Sequence, residues 1–164
     1  GKSYGKQSKN NSSLKSRYRL MWMDAVYEPG EVKVVAYNKD GKAVAEKTVR
    51  TAGKPHHIEL VSNRNELTAD GKDLAYVTVK VVDKDSNLCP TDSRLIHFSV
   101  KGAGKFRAVA NGDPTNLEQF HLPKMHAFHG MLTAIVQAGE IAGDLVLTAK
   151  ASGVKTGTVH LQAK

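Results

Sequence analysis

Three histidines, His121, His126 and His129, fall within nine residues and are interleaved with Phe120 and Phe128. Clustered imidazoles can hold zinc or copper, and a β-strand brings alternate residues to one face. Spacings of five and then three do not put all three on one strand face, and no cysteine or close carboxylate completes a set. The reading is solvent-facing loop and strand histidines, with no metal. His56-His57 diverge in an extended chain and make a poor chelate. Asp83-Lys84-Asp85-Ser86-Asn87 offers oxygens at alternate positions, as the opening of a calcium loop does. The sixth position, which needs Gly, is Leu88, and the twelfth, which needs a bidentate acid, is Arg94, so the segment reads as a turn. Asn111-Gly112-Asp113-Pro114 is also turn chemistry.

Covalent catalysis finds no motif. No G-x-S-x-G elbow, P-loop or complete dinucleotide fingerprint is present, and Gly102-Ala103-Gly104 supplies only the first two glycines of the last. The lone cysteine, Cys89, precedes Pro90 in a turn with no histidine near it in sequence, a weak nucleophile, and it excludes an intrachain disulfide. Hydrolysis of a glycosidic bond needs two carboxyl groups about 5–10 Å apart. The acids here lie mostly in turns, where nothing in the sequence raises or pairs their pKa values. We therefore assign no catalytic residue and no cofactor. Sugar recognition by ring stacking has three aromatic candidates, Trp22, Tyr27 and Tyr37. Trp22, between Met21 and Met23, reads as a buried strand residue. Tyr27, before Glu28-Pro29-Gly30, reads as the exposed one. Trp22 and Tyr27 are the weak binding candidates.

The 24 Lys and Arg against 16 Asp and Glu give a formal charge of +8. Residues 1–19 hold six bases and no acid, so the excess sits at one end and the remaining body is close to neutral. That end, with Asn10-Asn11-Ser12-Ser13, reads as a solvated basic segment, and no nucleic-acid partner is expected. No apolar run approaches the ~18 residues of a membrane helix. The first residues carry no hydrophobic stretch, so no signal peptide is expected, which leaves the compartment open because a processed piece has lost its leader. At 164 residues the chain holds one ordinary domain or two small ones and no TIM barrel, which needs about 250.

The elements that would position these residues are strands. Val32, Val34 and Ala36 alternate along Glu31–Tyr37, Asn38-Lys39-Asp40-Gly41 turns the chain, and Ala43–Arg50 returns. Thr51-Ala52-Gly53-Lys54-Pro55 interrupts the pattern and marks a domain boundary between residues 54 and 55. Beyond it seven strand-like runs follow: Ile58–Ser62, Leu74–Asp83, Leu95–Lys101, Phe106–Asn111, Ala127–Gln137, Asp144–Ala151 and Thr156–Gln162. No stretch sustains a 3.6-residue period. The fold class is all-β, an immunoglobulin-like β-sandwich over 55–164 without the Cys–Trp–Cys core of antibody domains. Residues 1–54 should hold three or four strands, the last part of a preceding β-sandwich domain with one sheet face that nothing obvious covers.

Tyr27-Glu28-Pro29-Gly30 through Tyr37, Asp40-Gly41-Lys42 and Thr48-Val49-Arg50-Thr51-Ala52-Gly53 together resemble the end of a β-sandwich domain of bacterial glycoside hydrolase family 2 enzymes, chiefly β-galactosidases of Bacteroides-like bacteria. Gly1-Lys2-Ser3 with Gly5-Lys6 is similar to a strand of that domain. Residues 55–164 resemble the C-terminal immunoglobulin-like domain that follows it, through Leu67–Leu74, Val82–Asp85, Gly102–Lys105 and Asn111–Thr115. The Ala69–Lys72 and Val82–Asp85 stretches are also similar to invasin-type bacterial immunoglobulin-like repeats. The resemblance implies a parent that hydrolyses β-galactosides or related glycans, in the periplasm or secreted. It implies a catalytic barrel upstream in the same polypeptide as the main partner, with a glycan or a homo-oligomer of the parent as further partners. The family's catalytic glutamates belong to the barrel, and no position here matches them. The alternatives are a carbohydrate-binding module, or an adhesin-type domain with a protein partner.

Overall fold

A computed structural model describes all 164 residues, which form two compact units, Gly1–Arg50 and Thr51–Lys164. In the first unit the hairpin is where the alternation puts it: β1 (Glu31–Tyr37) pairs antiparallel with β2 (Ala43–Arg50). Asn38 builds the turn, its side-chain oxygen accepting from the backbone N–H of Asp40 and Lys42 at 3.0 and 2.9 Å.

The remaining strands expected in residues 1–54 are absent. Residues 1–13 form no strand, and Trp22 lies in irregular chain rather than in a strand. A strand needs a neighbour to satisfy its backbone groups, and here β1 and β2 pair only with each other. The basic stretch instead holds one short helix, α1 (Leu14–Tyr18), started by Ser13 and Ser16 in a capping box. Gln7 stands in for a strand neighbour locally. Its amide donates to the Met21 carbonyl at 2.7 Å and accepts from the Met21 N–H at 3.1 Å.

The second unit is the β-sandwich expected from the sequence. One sheet holds β3 (His57–Ser62), β5 (Leu74–Val82), β9 (Met131–Ala138) and β7 (Gly104–Ala110), in that order and antiparallel throughout. The other runs β4 (Glu66–Leu67), β11 (Gly157–Ala163), β10 (Gly143–Lys150), β6 (Leu95–Gly102) and β8 (Lys124–His126), with β4 parallel to β11. Period-two alternation supplies the core between them. Val77, Val79 and Val81 of β5 and Ala134 and Val136 of β9 face Ile96 and Phe98 of β6 and Leu145, Leu147 and Ala149 of β10, all buried.

Two differences from the sequence reading have local causes. The β4 and β8 strands are two and three residues long, too short to show alternation, yet each buries one anchor, Leu67 and Met125. The run Ala127–Gln137 is broken near its start. Phe128 and Met131 exchange both backbone hydrogen bonds, at 2.9 and 3.0 Å, around a two-residue turn in which His129 (φ 51°) and Gly130 (φ 73°) are both left-handed.

Candidate functional site

The two aromatic candidates lie in the first unit, in the irregular chain between α1 and β1. Tyr27 is 74% exposed. Trp22 is half-buried, and its indole N–H is occluded without a hydrogen-bond acceptor. Met23 and Val26 of the same stretch are exposed, and so is Tyr37 at the end of β1, where the Lys6 ammonium lies 5.2 Å from the centre of its ring. These are exposed apolar and aromatic side chains in a basic stretch of chain. Such side chains can offer ring faces and cations to a ligand.

In the sandwich the histidines are dispersed. Glu118 holds His126 twice, accepting from its backbone N–H and meeting its Nδ1, both at 3.1 Å. His129 is directed to the Pro90 carbonyl at 3.3 Å and packs edge-on to Phe128. His121 is exposed in the loop that precedes β8. No three side chains of His, Cys, Asp or Glu come together as a metal-holding group. The His56-His57 pair departs from the extended reading. His56 lies just outside β3, so the two rings meet edge to face with their Nδ1 atoms 3.0 Å apart. Beside them Pro55, His56, Gly153, Val154 and Lys155 line a shallow depression of about 430 Å³.

The turn acids are paired, contrary to the expectation drawn from their sequence neighbours, and every shift they show is downward. Asp83, only 2% exposed, accepts from the Gly53 N–H at 2.7 Å through one oxygen and from the Asp85 and Asn87 N–H groups, each at 2.9 Å, through the other. The Gly53 N–H does most to lower its pKa, to about 2, and Asn87 adds to it. Asp73 is held down first by the Thr68 N–H and also by Arg64, and Asp70 by the N–H groups of Lys72 and Asp73. Asp113 accepts from both the N–H and the hydroxyl of Thr115. Asp92 is clamped by Arg94, which also donates to the Ser152 carbonyl at 2.6 Å. A glycosidic general acid requires the opposite, a carboxyl whose pKa is raised.

Burial raises the Cys89 thiol, and Asp83 and Asp92 push it further the same way. A thiol in that state is a poor nucleophile. Sequence reasoning missed Asp83 as an anchor. The only signal was its place after an unbroken strand, opening a five-residue polar turn.

Residues 58–160 match the model described as glycoside hydrolase family 2 C-terminal domain 5. The chain belongs to this glycoside hydrolase family 2 domain family. Residues 1–45 match a second model, described as a domain of unknown function, DUF4982. The whole chain is 41% identical to the β-galactosidase BoGH2A of Bacteroides ovatus and covers 19% of it. It is also 33% identical, over 68% of its own length, to a β-galactosidase of Thermoanaerobacter pseudethanolicus, covering 13% of that protein. Among solved structures it is similar to a glycosyl hydrolase family 2 member from Bacteroides cellulosilyticus. The TM-score is 0.78 at 31% identity, with 85% of this chain and 18% of that one covered. A β-glycosidase from Bacteroides vulgatus gives 0.80 at 26% identity, with coverages of 84% and 18%. The chain thus spans less than a fifth of these relatives.

Proposed function

We propose that the chain is a non-catalytic β-sandwich portion of a β-galactosidase-like glycoside hydrolase family 2 enzyme. In this reading the parent is periplasmic or secreted, and the sandwich supports the catalytic barrel of the same polypeptide or the contacts of its oligomer. The observation that carries the reading is the full-length alignment with a β-galactosidase of which the chain covers only 19%. The chemistry agrees: the carboxylates resolved here are ionised hydrogen-bond acceptors, and none is set up as a general acid.

The purified 164-residue chain is expected to leave a chromogenic β-galactoside intact while the full-length parent hydrolyses it. Turnover by the isolated chain that survives removal of contaminating enzyme overturns the non-catalytic assignment.

A second reading, carbohydrate binding, is favoured by the exposed ring of Tyr27, five residues from half-buried Trp22 in the same irregular segment. It predicts binding of a galactoside-containing glycan in calorimetry, weakened roughly tenfold by Tyr27→Ala or Trp22→Ala, since ring stacking contributes about 1 kcal/mol or more. A flat titration across galactosides removes it.

A further inference from the structure

His56 and His57 turn toward each other on backbone that is pinned on two sides. The His56 N–H donates to the Val82 carbonyl at the end of β5, and the His56 carbonyl accepts from the Lys155 N–H, both at 2.8 Å. His57 opens β3, paired with Val82 on one side and bridged to Lys155 on the other. One residue stands outside the strand and the other inside it, so the alternation that would send their side chains apart does not hold. The result is two Nδ1 atoms 3.0 Å apart, on half-buried rings set edge to face at 89°. Between neutral imidazoles that contact takes one N–H and one bare nitrogen.

The same distance is the bite of a cis chelate. An ion bonded to each nitrogen at about 2.0–2.1 Å would make an N–metal–N angle of roughly 95° across the 3.0 Å gap. That is close to the right angle of a tetragonal N,O site and short of the tetrahedral angle that zinc prefers. The ring that donates would carry its proton on Nε2 instead, which frees both Nδ1 lone pairs with no change of charge. Beside the pair, the depression lined by Pro55, His56, Gly153, Val154 and Lys155 gives an ion a way in and room for water on its open positions. Lys155 on that lining opposes any cation, so affinity must come from the nitrogens, which excludes the oxygen-seeking calcium and magnesium. We propose that His56 and His57 form a copper(II) site at the entry of the sandwich, with both Nδ1 atoms as ligands in cis and water on the remaining positions. Among divalent first-row ions copper binds nitrogen donors most tightly, and it favours this angle. No third His, Cys, Asp or Glu joins the pair, so the ion is exchangeable and keeps positions open for a further donor. The site stands apart from the reading of the chain as part of a glycosidase and does not depend on it.

The test titrates copper(II) into the metal-free 164-residue chain, with glycine in the buffer to hold back weaker sites. The electron paramagnetic resonance spectrum of the bound copper is expected to show splitting by two imidazole nitrogens. His56→Ala and His57→Ala, with their fold checked by circular dichroism, should each weaken binding roughly tenfold or more and remove one nitrogen. His126→Ala and His129→Ala should bind as the unaltered chain does. Zinc(II) should bind roughly tenfold or more weakly than copper(II). A peptide of residues 52–60 carries the same two histidines on backbone that nothing pins, and it too should bind copper(II) roughly tenfold or more weakly. Should an alanine variant fail to fold, the nitrogen count in the unaltered chain and the comparison with the peptide decide. One nitrogen or none in the unaltered chain overturns the proposal, as do equal affinities for chain and peptide. Binding that both alanine variants retain in full also overturns it and assigns the ion to another donor, such as the α-amino group of Gly1.

Discussion

Gly102→Ala is expected to cost the sandwich roughly 2–6 kcal/mol, a large share of the about 5–15 kcal/mol that hold a whole domain folded. Two effects add. At φ +92° the backbone is left-handed, which strains any residue with a side chain by about 1–3 kcal/mol. A Cβ there would also stand 2.0 Å from the Asp144 carbonyl oxygen, which belongs to the backbone of β10 and cannot swing away. That carbonyl already accepts from the Ala103 N–H at 2.8 Å, in the connection by which the chain leaves β6 in one sheet for β7 in the other. Making room for the methyl therefore means parting a sheet crossing, an overpacking cost of about 1–3 kcal/mol more. Gly112→Ala is the control: its φ of +78° is comparable, but an added Cβ meets nothing within 4 Å. It should lose only the backbone strain, about 1–3 kcal/mol, without the overpacking cost. Denaturant midpoints of the two variants and the parent sequence check this, and equal midpoints for the two variants would sink the steric account.

The same glycines show what a sequence can carry. Gly102-Ala103-Gly104 reads as part of a dinucleotide fingerprint because glycines near a strand end signal close backbone approach. The approach is real, and its object is Asp144, Leu145 and the Gln137 carbonyl rather than a phosphate. Type of constraint was legible and its partner was not, since the partner lies tens of residues away. Strands β5, β6 and β10 could be read nearly residue for residue because each has one buried face, which imposes strict alternation. The break at His129-Gly130 stayed hidden because the flanking Ala127 and Met131 continue an apolar run across it. In the first unit, propensity and motif suggested strands at Gly1–Lys6 and Trp22. Strand formation depends on a partner, and these residues find none within the chain. The candidate residues fared likewise. Exposure of Tyr27 followed from the adjoining Pro-Gly turn, whereas the contact between His56 and His57 needed the strand boundary that falls between them.

Asp83→Asn is expected to lower the midpoint of thermal unfolding at pH 6 by roughly 5–15 °C. The carboxylate oxygens accept from Gly53, Asp85 and Asn87, and the Asn87 side-chain amide adds contacts at 3.1 and 3.3 Å. An amide of the same shape has one acceptor where the acid has two, so its NH2 group must confront a backbone N–H in a buried site. Gly53 precedes β3 and lies thirty residues from Asp83 in sequence, so this bond ties the entry of the sandwich to the β5 turn and closes a long-range contact. The sign with pH follows from the direction of the shift. A pKa lowered from 3.8 to about 2 means that the folded state binds the proton less readily than the unfolded one. The carboxylate's contribution is then complete above 3.8 and is lost as pH falls through about 2. Asp70, Asp73, Asp92 and Asp113, lowered in the same direction, make both proteins less stable in acid. Asp83→Asn lacks one of these groups and should lose less. The gap between the two unfolding midpoints should therefore be widest near pH 6 and narrow towards pH 2. A gap that stays constant over that range would mean that shape rather than charge at Asp83 holds Gly53, and the electrostatic account would fail.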